Sequence, residues 1–188
     1  GTKIEDVSPL SEAEPPKNTE GFLFCGGYPE LHAEELSENQ TMRTKIRDNI
    51  RQGMPVLAEC GGYMYLSESM EDMDGNVYPM VQAVPGNVYR TKKLGRFGYI
   101  TLTPNTKDTF RNGGNPVRGH EFHYFDSTDC GSAWHAAKPL RKRNWECIHA
   151  TKRMMAGCPH LDYIASPHLA LEFLEQCVSY RKEQEKTR

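Results

Sequence analysis

No Cys-x-x-Cys pair occurs among the six cysteines at 25, 60, 130, 147, 158 and 177, so the spacing supports neither a structural zinc site nor a small disulfide scaffold. They read as thiols, and no metal is expected. No apolar run approaches the roughly 18 residues a membrane span requires. The acidic, proline-containing start from Gly1 to Pro16 is not a signal peptide either. An excess of one charge is also missing: 23 Lys and Arg stand against 25 Asp and Glu, a net charge of −2. That balance argues against non-specific binding to nucleic acid or to an anionic membrane. A cytoplasmic protein with no polyanion as its main ligand is expected. There is no internal repeat and no low-complexity tract.

What is present is 188 residues, 37% hydrophobic and 10% aromatic, about one domain's length and too apolar for a disordered chain. Gly1 is not an initiator Met, and the segment through Thr19 reads as a linker, which suggests a domain excised from a longer polypeptide. The continuous apolar run Gly21 to Cys25, ending at Gly26-Gly27, predicts a central, buried parallel strand. Met42, Ile46 and Ile50 recur every fourth residue before Gly53 and Pro55, which predicts one amphipathic helix from about Ala33 to Gln52. Pro55 to Glu59 predicts a second strand, turning at Cys60-Gly61-Gly62 into a helix. Strand, helix, strand, helix in this order predicts an α/β layered fold with a parallel sheet. Val77 to Met80, Val84 to Tyr89 and Gly98 to Thr103 read as strands of an antiparallel or mixed half. Asn105 to Pro116 is a polar loop, and Arg118 to Tyr124 is extended. A strand pair is expected at Trp145 to Ala150 and Arg153 to Ala156. Ser166 and Pro167 open a final helix whose stripe is Leu169, Ala170, Phe173, Leu174, Cys177 and Val178.

Cys60 carries the chemistry. A thiol in the sharp turn between a buried strand and a helix has a strained backbone and an accessible sulfur, the conditions of a nucleophile; the bland alternative is an inert buried cysteine. The N–H of Gly61 and those of Gly26-Gly27, at the end of the neighbouring strand, are candidates for an oxyanion hole. A thiol with an ordinary pKa near 8.5 needs a base at neutral pH. Of seven histidines, His160 is best placed, with Asp162 two residues on as a candidate orienting carboxylate. His120-Glu121-Phe122-His123 is one residue short of H-E-x-x-H and lies in an apparent strand. Glu121 and His123 then share a face and read as paired site residues rather than metal ligands.

Four segments together resemble a known family: Gly26 to Ala33 (GGYPELHA), Ala58 to Leu66 (AECGGYMYL), Arg96 to Tyr99 (RFGY) and Arg118 to Tyr124 (RGHEFHY). In order and spacing they are similar to the glutamine amidotransferase domain of cobyrinic acid a,c-diamide synthase, from about Ser8 to Cys177. The resemblance implies a class I, triad-type fold, a Rossmann-like three-layer α/β sandwich with a mixed, mostly parallel central sheet. The domain would span 21–180, preceded by a linker at 1–20 and followed by a solvated helix end at 181–188. The resemblance implies that Cys60 attacks glutamine, His160 acts as base, Gly27 and Gly61 hold the oxyanion, and Gly26, Tyr28, Glu121 and His123 line the glutamine site. The family carries a His-x-His segment where this chain has His160-Leu161-Asp162. That change either supplies an orienting carboxylate or signals altered activity. The family's full protein has an N-terminal ATP-binding synthase domain that activates the corrinoid carboxylates and accepts the ammonia. No G-x-x-x-x-G-K-[ST] occurs in this chain, so ATP and Mg²⁺ are expected in that other domain and no cofactor in this one. Two other readings remain: a stand-alone cysteine hydrolase, which leaves the RFGY and GHEFHY segments unexplained, and a catalytically degenerate docking or regulatory domain, suggested by Asp162.

Overall fold

The computed structural model describes residues 2–105 and 114–187. Its first sheet runs in the order β1-β2-β12-β11, built from β1 (Phe22–Phe24), β2 (Val56–Glu59), β12 (Met154–Gly157) and β11 (His149–Ala150). β1 and β12 both pair parallel with β2, and β11 joins antiparallel to β12. The run at Phe22 to Phe24, expected to be central, is an edge strand: it pairs with β2 alone, and Leu23 is 55% exposed. The central pair is β2 and β12, because Met154–Gly157 enters parallel beside β2 while only β11 folds back on it.

Successive residues of a strand face opposite ways, and the central pair uses that alternation to hold two cores apart. Val56, Ala58, Met154 and Ala156 point to one side, where Ala33, Leu36, Met42, Ile46 and Leu66 pack over them. These come from the helices α1 (Ala33–Glu38), α2 (Gln40–Arg51) and α3 (Gly61–Leu66). Leu57 and Met155 point to the other side, against Ile100, Leu102, Val117, Trp134, Ala136 and Leu169. That third layer is a five-stranded antiparallel sheet with the C-terminal helix α4 (Pro167–Thr187). Its order is β10 (Asn144–Cys147), β9 (Trp134–Ala137), β6 (Arg96–Pro104), β7 (Val117–His123) and β13 (His160–Leu161). A smaller sheet of β3 (Ser69–Glu71), β4 (Val77–Pro79), β5 (Asn87–Arg90) and β8 (Phe125–Ser127) completes the described residues. The fold is therefore a layered α/β sandwich with a mixed, mostly parallel central sheet.

One local difference from the sequence-based expectation has a physical cause. The single helix expected from Ala33 to Gln52 is broken at Asn39 (φ −74°, ψ 64°), whose side-chain oxygen accepts from the Met42 N–H and caps α2. The Asn39 amide also donates to the Pro9 and Glu12 carbonyls, at 2.7 Å each, tying the N-terminal segment to the break. The polar stretch from Asn105 to Pro116 lies largely outside the described residues.

Candidate functional site

Parallel strands in an open α/β sheet present their carboxyl ends to a common crevice, and here β1, β2 and β12 end in Gly26-Gly27, Cys60 and Cys158. Cys60 links β2 to α3 with φ 47° and ψ −109°, a conformation that costs a non-glycine residue about 1–3 kcal/mol. It is anchored at both backbone ends: its N–H donates to the Gly157 carbonyl at 2.8 Å, and its carbonyl accepts from the Met64 N–H at 2.9 Å. The turn is tight because β2 and α3 both press on β1. A Cβ on Gly62 would stand 2.5 Å from the Phe24 carbonyl oxygen, and one on Gly61 2.8 Å from the Gly27 carbonyl oxygen and 3.0 Å from its nitrogen. The two glycine pairs therefore converge, with Gly27 at φ 153° in open space. The backbones of Gly27 and Gly61 thus lie side by side at the elbow.

His160 arrives from the other layer. The chain leaves the first sheet at Gly157, crosses at Cys158 and Pro159, and joins the second sheet at His160, which pairs with His120 of β7. The two imidazoles stack, with centroids 5.0 Å apart. The His160 ring also lies against the backbone of Gly26, where a Cβ would come within 2.7 Å of Cε1. A hydrogen bond to Cys60, then one to Glu59, hold the His160 imidazolium and raise its pKa from 6.5 to about 10. At neutral pH it keeps its proton. Cys60 is itself buried, at 9% exposure, and burial pushes the thiols of Cys130, Cys147, Cys158 and Cys177 upward.

The carboxylate beside His160 is Glu59, not Asp162. Glu59 Oε2 lies 3.4 Å from His160 Nδ1, while its Oε1 accepts from the Tyr163 hydroxyl at 2.5 Å and the Leu161 N–H at 3.3 Å. Asp162 Oδ1 instead accepts from the Ala165 N–H at 3.0 Å, and the Asp162 carbonyl accepts from the Ser166 N–H at 2.9 Å. Two residues of separation do not bring Asp162 to the ring, because the chain turns at Asp162 to enter α4. No pattern of residue types singled out Glu59. The usable signal was strand alternation: Leu57 faces the third layer, so Glu59 faces it too.

Glu121 and His123 share the inner face of β7, as expected, but they form a buried ion pair and not a lining for glutamine. Glu121 is fully buried, with Oε2 3.0 Å from His123 Nε2 and Oε1 accepting from the Trp145 indole at 3.2 Å. The other ring nitrogen of His123 faces the Phe125 carbonyl. Arg96, the first residue of RFGY, lies over the Trp145 ring, 5.4 Å from its centroid, and 3.9 Å from Asp126. Arg96, Glu121 and His123 thus form a polar cluster around Trp145. Tyr28 stands at the rim, 71% exposed. The site brings together Cys60, His160, Gly26, Gly27 and Gly61, places Tyr28 at its edge, and leaves Asp162, Glu121 and His123 outside it.

Comparison with known proteins points the same way. Residues 1–160 match the family described as the CobB/CobQ-like glutamine amidotransferase domain. The chain is 36% identical over 182 residues to a cobyrinate a,c-diamide synthase of Caldanaerobacter subterraneus subsp. tengcongensis, covering 96% of this chain and 40% of that protein. It is 42% identical over 170 residues to the cobyrinate a,c-diamide synthase of Fusobacterium nucleatum subsp. nucleatum, covering 88% and 37%. This chain thus spans about 40% of the length of the relatives it matches. In fold it is similar to a crystal structure of a glutamine amidotransferase, with TM-score 0.59 and 14% identity over 86% of this chain and 80% of that one.

Proposed function

The chain belongs to the CobB/CobQ-like glutamine amidotransferase family, and from that premise we propose that it is the glutaminase half of an ATP-dependent cobyrinate a,c-diamide synthase. The observation that supports this most is the strained Cys60 elbow, at which the backbones of Gly27 and Gly61 converge and against whose neighbour Gly26 the His160 ring lies. In this mechanism the Cys60 thiol passes its proton to His160 as the sulfur adds to the side-chain carbonyl of glutamine. The N–H groups of Gly27 and Gly61 receive the charge that develops on the oxygen. Collapse breaks the C–N bond, and His160 gives its proton to the departing ammonia, leaving a γ-glutamyl thioester. Water, deprotonated by His160, then adds to the thioester, expels the thiolate and releases glutamate.

The ammonia is destined for the a and c carboxylates of a corrinoid bound by a further domain of the same parent protein, in the cytoplasm. ATP and Mg²⁺ would be held by that domain, since these residues contain no phosphate loop, and no step here passes through them. In this division residues 1–20 connect the two halves, 21–180 are the glutaminase and 181–188 follow it. No helix among the described residues is long and apolar enough to cross a membrane.

The test is glutamate release, together with covalent labelling by a glutamine analogue electrophilic at the γ-carbon, in the chain and in Cys60→Ala. Saturable labelling at Cys60, protected by glutamine and absent from the variant, is the expected result. Absence of selective labelling in the unaltered chain would remove the reading.

A further inference from the structure

The residue immediately before the nucleophile is a carboxylate whose entire setting is directed at the base. β2 alternates between the two cores: Val56 and Ala58 belong to the helical side, and Leu57 to the side shared with the second sheet. Glu59 continues the alternation toward that second side. There it meets the segment that carries His160, whose neighbours Leu161 and Tyr163 pack on the same core as Leu57. Its two oxygens divide the work. Oε1 is fixed by the Leu161 N–H and the Tyr163 hydroxyl, and Oε2 is left 3.4 Å from His160 Nδ1. Burial and the Glu59 charge together push the Tyr163 hydroxyl pKa far up, so it remains a donor across the working range. Only 14% of the Glu59 side chain is exposed, so little water competes for it.

Building on the glutaminase reading, we propose that Glu59 is the positioning residue of a Cys60–His160–Glu59 relay, supplied by the residue preceding the nucleophile and not by the one two positions after the base. Glu59 does not take a proton. It holds the tautomer in which Nδ1 carries hydrogen, leaves Nε2 for the sulfur, and stabilises the imidazolium that forms when the thiol ionises. Besides Glu59, the titratable groups facing His160 are Cys60 on the elbow and His120 on β7. His120 stacks and cannot accept the Nδ1 proton. Asp162 is committed to the turn into α4.

The experiment is a carbon-13 NMR titration of the 188-residue chain, without glutamine, following the ε1 carbon of His160 and the carboxyl carbons of Glu59 and Asp162. In the unaltered protein the Glu59 carboxyl signal is expected to move with the same midpoint as His160, and that of Asp162 to stay still. Glu59→Gln is expected to lower the His160 midpoint by at least one pH unit and to slow iodoacetamide alkylation of Cys60 at pH 7 at least tenfold; Asp162→Asn should change neither. A silent Glu59 signal, or a midpoint that responds to Asp162→Asn and not to Glu59→Gln, overturns the assignment. The first measurement needs no variant, so a poorly folding Glu59→Gln would not protect the proposal. A chain that titrates as expected yet does not react with glutamine would refute the glutaminase reading alone. A reactive chain with a silent Glu59 would refute the relay alone.

Discussion

Replacing Gly26 by alanine asks how closely the chemistry depends on where one imidazole stands. A methyl group there would lie 2.7 Å from His160 Cε1, 3.5 Å from Nε2 and 3.7 Å from Nδ1, whereas ordinary contacts begin at 3.4 Å. The ring edge must therefore retreat from 2.7 Å to at least 3.4 Å, a shift of about 0.7 Å. Misplacement of a reacting group by about 1 Å costs on the order of 10²-fold in rate, so kcat/KM for glutamine should fall about 30- to 100-fold, or about 2–2.7 kcal/mol of barrier. Stability should barely change. Gly26 is exposed, lacks a positive φ and packs on a ring that can move, and the loss of unfolded-state freedom contributes only about 0.4–1 kcal/mol in the opposite direction. The measurement is glutamate release beside urea unfolding, with Gly95→Ala as control because nothing lies within 4 Å of a Cβ there. Unchanged kcat/KM in Gly26→Ala, or an equal loss in Gly95→Ala, would refute the argument.

Two further outcomes follow from the protein's electrostatics. Glu121→Ala strands His123 and the Trp145 indole in a buried layer; breaking such a pair costs about 3–5 kcal/mol, so melting should drop by at least about 6 °C, and a drop under about 2 °C would show that the pair is not holding that layer. The His160 pKa stands at about 10 in the folded chain against an ordinary 6.5, so the folded state binds this proton more tightly than the unfolded one. Its stabilisation is complete below about pH 6.5 and is lost as pH rises through 10. The stability difference between the unaltered chain and His160→Gln, from urea unfolding, should shrink between about pH 6 and pH 10.5; a widening gap would reverse the assigned direction.

Local chemistry made much of this molecule readable from its sequence. The Cys60 elbow follows from an apolar strand that stops at two glycines, and the Gly26-Gly27 turn from the same logic, so both halves of the crevice rim are legible in the sequence. What escaped was non-local. Phe22 to Phe24 has the composition of a buried strand, yet lies at an edge, because strand order is set by which later segment slides in beside β2. Asp162 has the spacing of an orienting carboxylate, but spacing along a chain does not specify where the backbone turns. Glu59 was hidden for the complementary reason: its partner is 101 positions away (Glu59 to His160), delivered by the pairing of His160 with His120. Glu121 and His123 were correctly seen to share a face. Which face was buried depended on the layer packed against it.

Nucleophile and base are rooted in different sheets, and the chain passes from one to the other through Cys158 and Pro159. Their separation is thus a mechanical property of the seam between two layers, set by contacts such as Leu57 and Met155 against Ile100 and Leu102. Reactivity can consequently be retuned from deep inside the protein, by altering the thickness of that seam, without touching any atom that meets the substrate.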